Sequence, residues 1–292
     1  MNAYTIKDLE NLSGIKAHTI RIWEQRYDFI KPQRSDTNIR YYSNDELKRL
    51  LNVALLNKHG YKISHIDKMG DAKIRSAILD LENNHAVEER IINEMIQCMI
   101  TFDDIEFEKN LDSYILAEGL EQTISTIIFP FLNKVGILWT TSQIIPAQEH
   151  IVSNIIRQKI IVAINNVPKN VSYKKSCALF LPEGEYHELG ILFISFLMKK
   201  RGVKVHYLGA SVGFKDLKCF VDFKKPDFIY THITSCHQKF SINHFVEEIQ
   251  EILPQIKLFV SGPLIHRCCF EKNKKINFLP SLEKTIEFIE SL

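Results

Sequence analysis

The stretch Tyr4-Thr5-Ile6-Lys7-Asp8-Leu9-Glu10-Asn11-Leu12-Ser13-Gly14-Ile15-Lys16-Ala17-His18-Thr19-Ile20-Arg21-Ile22-Trp23-Glu24-Gln25-Arg26 decides how the front of this chain folds. Thr5-x-x-Asp8 fits a capping box, in which two side chains satisfy the orphan N–H groups of a helix start. A helix over Thr5–Leu12, a tight turn at Ser13-Gly14-Ile15 and a second helix over Ala17–Arg26 give helix-turn-helix spacing. The second helix carries His18, Arg21 and Gln25 on one side, at helical spacing, where they could enter a major groove. Spacing alone also admits a plain helical hairpin with solvated charges. Trp23, facing Leu9 and Leu12, reads as core rather than as a base contact.

Downstream, Pro32-Gln33-Arg34 and Arg40-Tyr41-Tyr42 form a basic, aromatic segment suited to phosphates beside the groove. Ser43-Asn44-Asp45-Glu46 is a second capping box, and Gly60 marks a helix end. Residues 1–70 hold 12 cationic and 8 acidic side chains, although the 292-residue chain has a net charge of only +2. A basic front on a near-neutral body points to an N-terminal polyanion contact. With 45% hydrophobic and 25% charged residues, the chain is not expected to be disordered or fibrous. Residues 1–20 lack an apolar leader and no run of about 18 apolar residues stands out, so no membrane partner and a cytoplasmic setting are expected. The six cysteines show no CxxC spacing and are expected as free thiols; Cys268-Cys269 lacks a matched ligand set.

Residues 71–168 are expected to be a helical domain divided at Pro130 and Pro146, with Ile91, Ile92, Met95, Ile96 and Met99 on one helical face. Asn165–Asn170 reads as a linker. Over 172–292, short apolar runs at Cys177–Leu181, Lys204–Leu208, Asp227–Ile233, Lys257–Val260 and Ile276–Leu279 alternate with amphipathic stretches such as Leu189–Lys200 and Phe245–Leu253. That alternation predicts an α/β domain with a doubly wound parallel sheet, which binds ligands beyond the carboxyl ends of its strands.

His187 falls in the loop after the first of these strands. Imidazole is a good ligand for a transition metal, and Glu185 can hold the other ring nitrogen. Gly190 would allow close approach to a bulky ligand. A lone histidine specifies little, so a structural role stays open. The same holds for Trp139 and Glu149-His150, which could equally be core and solvated surface.

The N-terminal residues Tyr4-Thr5-Ile6, Gly14-Ile15, Thr19–Tyr27, Pro32, Arg34 and Arg40-Tyr41-Tyr42-Ser43 resemble the winged helix-turn-helix of MerR-type transcription regulators, in the branch that carries cobalamin-sensing domains. The resemblance implies that Arg21, Gln25 and Tyr41 lie near DNA, with Arg34 and Arg40 toward phosphates. It implies a homodimer or homotetramer on double-stranded promoter DNA, with RNA polymerase as a further partner. Ile39 stands where that family commonly has glycine. Glu185-x-His187-x-x-Gly190, Thr231-His232-Ile233 and Ser261-Gly262 are similar to the three-part signature of cobalamin-binding domains, Asp-x-His-x-x-Gly, Ser-x-Leu and Gly-Gly. There the loop histidine is the lower cobalt ligand, and the nucleotide tail enters a slot lined by the second and third blocks. Trp139-x9-Glu149-His150 resembles the cap of cobalamin-dependent photoreceptor regulators.

The resemblance therefore implies three domains: a DNA reader at 1–70, a helical cap at 71–168 and a flavodoxin-like cobalamin-binding domain at 172–292. The implied function is a regulator, not an enzyme, whose assembly or DNA affinity is set by cobalamin, most simply adenosylcobalamin. A regulator whose sensory domain has lost cobalamin, and a corrinoid carrier in methyl transfer, are the alternatives. Thr140 replaces the histidine that follows the cap tryptophan in the light-sensing branch, which leaves no stable bis-histidine product expected after illumination.

Overall fold

The computed structural model describes residues 4–34, 38–81, 84–141, 143–168, 173–235, 240–267 and 275–292. It divides into two compact units, Met1–Ile155 and Ile156–Leu292.

In the first unit, α1 (Ile6–Ser13) and α2 (Ala17–Arg26) form the expected helix-turn-helix. Thr5 caps α1 in a complete capping box, and Gly14 ends it at φ +74°. That left-handed conformation is inexpensive only without a Cβ. A two-stranded antiparallel wing follows, β1 (Gln33–Arg34) against β2 (Arg40–Tyr41), with Gln33 opposite Tyr41. Asn38, not a glycine, takes the wing's positive φ of 64°. Asparagine tolerates that region better than most residues. The second capping box starts α3 (Asn44–Lys58), whose Leu47, Leu50 and Leu51 are buried; short α4 (Ile63–Ile66) follows it.

The rest of the unit is helical: α5 (Asp71–Leu79), α6 (Asn84–Thr101), α7 (Asp104–Glu118), α8 (Leu120–Thr123) and α9 (Phe129–Thr140). Contrary to expectation, Pro130 does not divide the chain. A π turn at Ile124–Ile128 joins α8 to α9 in one continuous stretch, with the Phe129 N–H donating to the Ile124 carbonyl. Proline has no N–H and its ring crowds the carbonyl four residues back. A wider turn just before it relieves that crowding and keeps the helix running. The stretch Leu120–Thr140 is also long and apolar enough to cross a membrane, which amends the sequence expectation. Its Ile124, Ile127, Ile128, Phe131, Val135 and Leu138 are buried within the unit. The long α10 (Pro146–Asn166) begins at Pro146 as expected. It includes Asn165 and Asn166, so the linker starts later than predicted; residues 169 and 170 lie outside the described residues.

The second unit holds a five-stranded parallel sheet in the order β4-β3-β5-β6-β7. Its elements are β3 (Ser176–Pro182), α11 (Glu188–Lys200), β4 (Lys204–Val212), α12 (Phe214–Lys224), β5 (Phe228–His232), α13 (Ile242–Ile252), β6 (Lys257–Ser261), β7 (Ile276–Leu279) and α14 (Leu282–Glu290). All five sequence-predicted strands are present. Ala178, Ile229, Leu258 and Val260 belong to one buried layer with Phe245 and Ile249 of α13. Strand order reverses between β3 and β5, so the crevice beyond their carboxyl ends is the topological switch point. Cys98 and Cys177 are buried free thiols, pushed up to about 11 and about 12 by burial, and Cys219 is an exposed free thiol. Cys236, Cys268 and Cys269 lie outside the described residues.

Candidate functional site

The switch point is organised around one carboxylate. Glu185 follows β3 and is fully buried. Its Oε1 lies 2.6 Å from His187 Nδ1 and accepts the His187 backbone N–H at 2.9 Å. Its Oε2 accepts the N–H groups of Thr234 and Ser235, at 3.0 and 2.8 Å, from the loop after β5. Burial pushes the Glu185 carboxyl up, but the hydrogen bonds from the His187 ring and from the backbone outweigh it and leave it below its ordinary value. The charged carboxylate thus ties the two loops of the switch point together and engages Nδ1 of His187. The His187 side chain remains 60% exposed. With Nδ1 facing Glu185, Nε2 is the ring nitrogen turned away from the carboxylate. Among the described residues no group of three or more metal-ligating side chains gathers.

The next residue, Glu188, is fixed in turn. Arg157 Nη1 of α10 donates to its Oε2 at 2.6 Å, and the Tyr207 hydroxyl of β4 donates to its Oε1 at 2.9 Å. Sequence reading missed this triad, because its members lie 31 and 19 residues apart and form no local motif.

The second and third blocks meet the first. Thr231 is fully buried, and its Oγ1 finds no hydrogen-bond partner among the described residues. An orphaned buried hydroxyl at a switch point is a group that a ligand could satisfy. Ser261 accepts from the Tyr230 hydroxyl at 2.6 Å, and its Oγ lies 2.8 Å from His232 Nδ1. Burial holds the His232 imidazole at about 4, so it is neutral at pH 7. Gly190 lies under this ring: a Cβ there would come within 2.3 Å of His232 Cδ2 and Nε2. The close approach expected at Gly190 is thus used by a histidine of the same chain. Gly262 has φ +114°, and a Cβ would lie 2.3 Å from the Ile233 carbonyl oxygen.

In the first unit, Trp139 at the end of α9 is 42% exposed, unlike a core tryptophan. Ile145 and Ile151, either side of the start of α10, are also exposed. Glu149 Oε2 lies 2.9 Å from His150 Nδ1, so the two cap candidates pair with each other. Thr140 donates its hydroxyl to the Ile137 carbonyl at 2.8 Å.

On the helix-turn-helix, Arg21 and Gln25 are exposed on α2, while Ile20 and Trp23 are buried; Trp23 packs edge-on against Phe29, as expected of a core residue. Arg34 is exposed and its Nη1 donates to Asn38 Oδ1 at 2.5 Å across the wing. Arg40 is drawn inward: its Nε donates to Glu24 Oε2 at 3.3 Å, and the Tyr42 hydroxyl donates to the same carboxylate. Arg40 therefore braces the wing on α2. Tyr41 is half-buried beside it. Glu24 was not singled out by sequence, since its partners lie 16 and 18 residues away.

Residues 4–73 match the family model of MerR helix-turn-helix regulatory proteins, and residues 91–163 match the B12 binding domain. The chain thus joins a MerR-type helix-turn-helix to a B12-binding domain, the architecture of a MerR-type regulator with a cobalamin-binding part. Among its relatives are the HTH-type transcriptional repressors CarH and CarA of Myxococcus xanthus. CarH is 24% identical over 89% of this chain and 88% of its own; CarA is 26% identical over 70% and 67%. A monomethylamine corrinoid protein of Methanosarcina barkeri shares the fold, with a TM-score of 0.54 and 13% identity over 70% of this chain and all of its own.

Proposed function

We propose that this protein is a non-enzymatic, DNA-binding transcription regulator whose assembly or operator affinity is controlled by adenosylcobalamin. The observation that carries the reading is the Glu185–His187 pair at the switch point, 2.6 Å apart. The residues fit a corrinoid: His187 presents one imidazole, Glu185 fixes its tautomer, and the buried Thr231 hydroxyl lacks a partner. When bound, cobalamin supplies a cobalt–carbon bond that light can cleave. The chain's own residues do the rest. His187 would hold the cobalt through its imidazole, with Glu185 keeping Nδ1 engaged. The Arg157–Glu188–Tyr207 triad holds the first turn of α11, and so the ligand loop, in place. Gly190, Thr231, Ser261 and Gly262 line the remainder of the site, with His232 as the neighbour that must be accommodated.

Trp139, Glu149 and His150 are assigned to cofactor binding, which the exposed indole supports. Arg21 and Gln25 are assigned to base edges, and Arg34, Arg40 and Tyr41 to the flanking backbone, on a dyad site bound by a dimer or tetramer. This reading assigns residues 1–70 to the DNA reader, 71–168 to the cap and 172–292 to the cofactor domain. A visible-spectrum titration of the purified full chain with adenosylcobalamin in the dark tests the reading. Stoichiometric retention through gel filtration supports it; recovery of colourless protein contradicts it and leaves a regulator with an empty sensory domain.

A further inference from the structure

A second site lies in the first unit, apart from every residue assigned above. Helices α3, α5 and α6 line a half-open pocket of about 270 Å³. Each helix sends one cation to its lining: Lys48 from α3, Arg75 from α5 and Arg90 from α6. A single carboxylate, Glu94, shares the lining, 3.5 Å from Arg90. Neither Lys48 nor Arg75 has an ion-pair partner among the described residues. Gln97 completes the wall, and its side-chain N–H₂ is buried without a hydrogen-bond partner among the described residues. Leu51 and Ile78 supply an apolar floor.

Three cations against one carboxylate leave two positive charges unanswered in a concave, partly apolar space. Like charges converging there repel one another and gain from a counter-anion more than isolated surface lysines do. Burial also pushes the Glu94 carboxyl above its ordinary value, which lowers the cost of bringing an anion beside it. An orphaned buried amide is the kind of donor that an absent acceptor explains. Guanidinium groups hold carboxylate or phosphate through paired donors.

The geometry points to a binding site for a compact metabolite with at least two negative charges, a di- or tricarboxylate or a small phosphate ester. It would bridge Lys48 of the DNA reader to Arg75 and Arg90 of the helical region. An anion held there joins α3 to α5 and α6, and so stiffens the connection between DNA reader and bundle. This reading is independent of cobalamin, because no residue of the corrinoid site contributes.

The test uses the full chain without cobalamin or DNA, with citrate as the probe. Thermal melting and isothermal calorimetry are followed at fixed ionic strength, with sodium acetate as the monovalent control. The expected result is saturable stabilisation by citrate and none by acetate, with apparent affinity at least tenfold weaker in Arg75→Gln and Lys48→Gln. Both side chains are exposed, so these variants keep the fold. Gln97→Leu weakens citrate as well, whereas Lys218→Gln, on the other unit, leaves it unchanged. Inorganic phosphate in a parallel titration tells phosphate chemistry from carboxylate chemistry. Equal citrate responses in wild type, Arg75→Gln and Lys48→Gln, or an acetate response of the same size, overturn the proposal. So does a Lys48→Gln protein that loses DNA affinity while wild type ignores citrate, which would assign these cations to DNA phosphates.

Discussion

His187 Nδ1 and Glu185 Oε1 lie 2.6 Å apart, and the same carboxylate receives three backbone N–H groups from both sides of the switch point. Glu185 is therefore a structural tie as well as the partner of the imidazole. Glu185→Gln keeps the acceptor oxygen but loses the charge that holds the ring. Cobalamin affinity should fall by roughly 10–100-fold, the usual effect of removing the hydrogen-bond partner of a metal-bound histidine. His187→Ala should lose more and alter the visible spectrum. Equilibrium dialysis with aquocobalamin measures both; a Glu185→Gln protein that binds as wild type would remove the carboxylate from the account.

On the DNA side, Arg21→Ala should cost roughly 1–3 kcal/mol and blur discrimination between operator variants. Arg40→Ala should weaken all sequences alike and reduce the salt dependence. Tyr42→Phe leaves the Glu24 carboxylate without one of its two wing partners, and the loss of a hydrogen bond to a charged group is worth about 1.5–3 kcal/mol of stability. Fluorescence anisotropy across a salt series, with a melt of each variant, checks all three.

How far the sequence could be read follows from the range of each interaction. Both capping boxes, the Gly14 turn, the Ala17–Arg26 helix and all five parallel strands rest on contacts within a few residues or on simple periodicity, and each was legible. Glu185 and His187, two residues apart, were legible for the same reason. The π turn before Pro130 was not, because a wider helical turn leaves no distinct apolar period. The Gly190–His232 contact, the Arg157–Glu188–Tyr207 triad and the Glu24 brace were hidden too. Each joins elements that only the tertiary fold brings together.

Gly190 and His232 should therefore be coupled. Gly190→Ala drives a methyl into the imidazole, and overpacking of this kind costs typically 1–3 kcal/mol. In the Gly190→Ala, His232→Ala double variant the ring is gone and most of that cost should vanish. Denaturant melts of the four proteins give the coupling directly; additive losses would mean that the ring already moves aside.

The neutral, enclosed His232 also predicts acid sensitivity. Its folded value, about 4, lies below the ordinary 6.5, so the unfolded chain binds more protons between these values. Its contribution is fully present above about pH 6.5 and is lost as pH falls toward 4, reaching no more than about 3 kcal/mol. His232→Gln should flatten stability against pH over that window relative to wild type. Parallel slopes for the two proteins would place the acid response elsewhere.

If the proposed adenosylcobalamin is bound, Thr140 decides what illumination leaves behind. Its hydroxyl donates to its own helix and is a poor cobalt ligand beside imidazole. Wild type loaded with adenosylcobalamin should lose colour on filtration after illumination, while Thr140→His should retain it. Wild type that keeps a two-imidazole cobalt spectrum would show that another residue takes the upper position.

Cobalamin held at His187 is proposed to control DNA binding. The most direct measurement is anisotropy of a labelled duplex, selected by the full chain from a random library, with and without adenosylcobalamin in the dark. Wild type should change its apparent affinity or binding stoichiometry with cofactor, and His187→Ala should behave as cofactor-free wild type in both conditions. Identical wild-type curves with and without bound cofactor, or an undiminished response in His187→Ala, would contradict it.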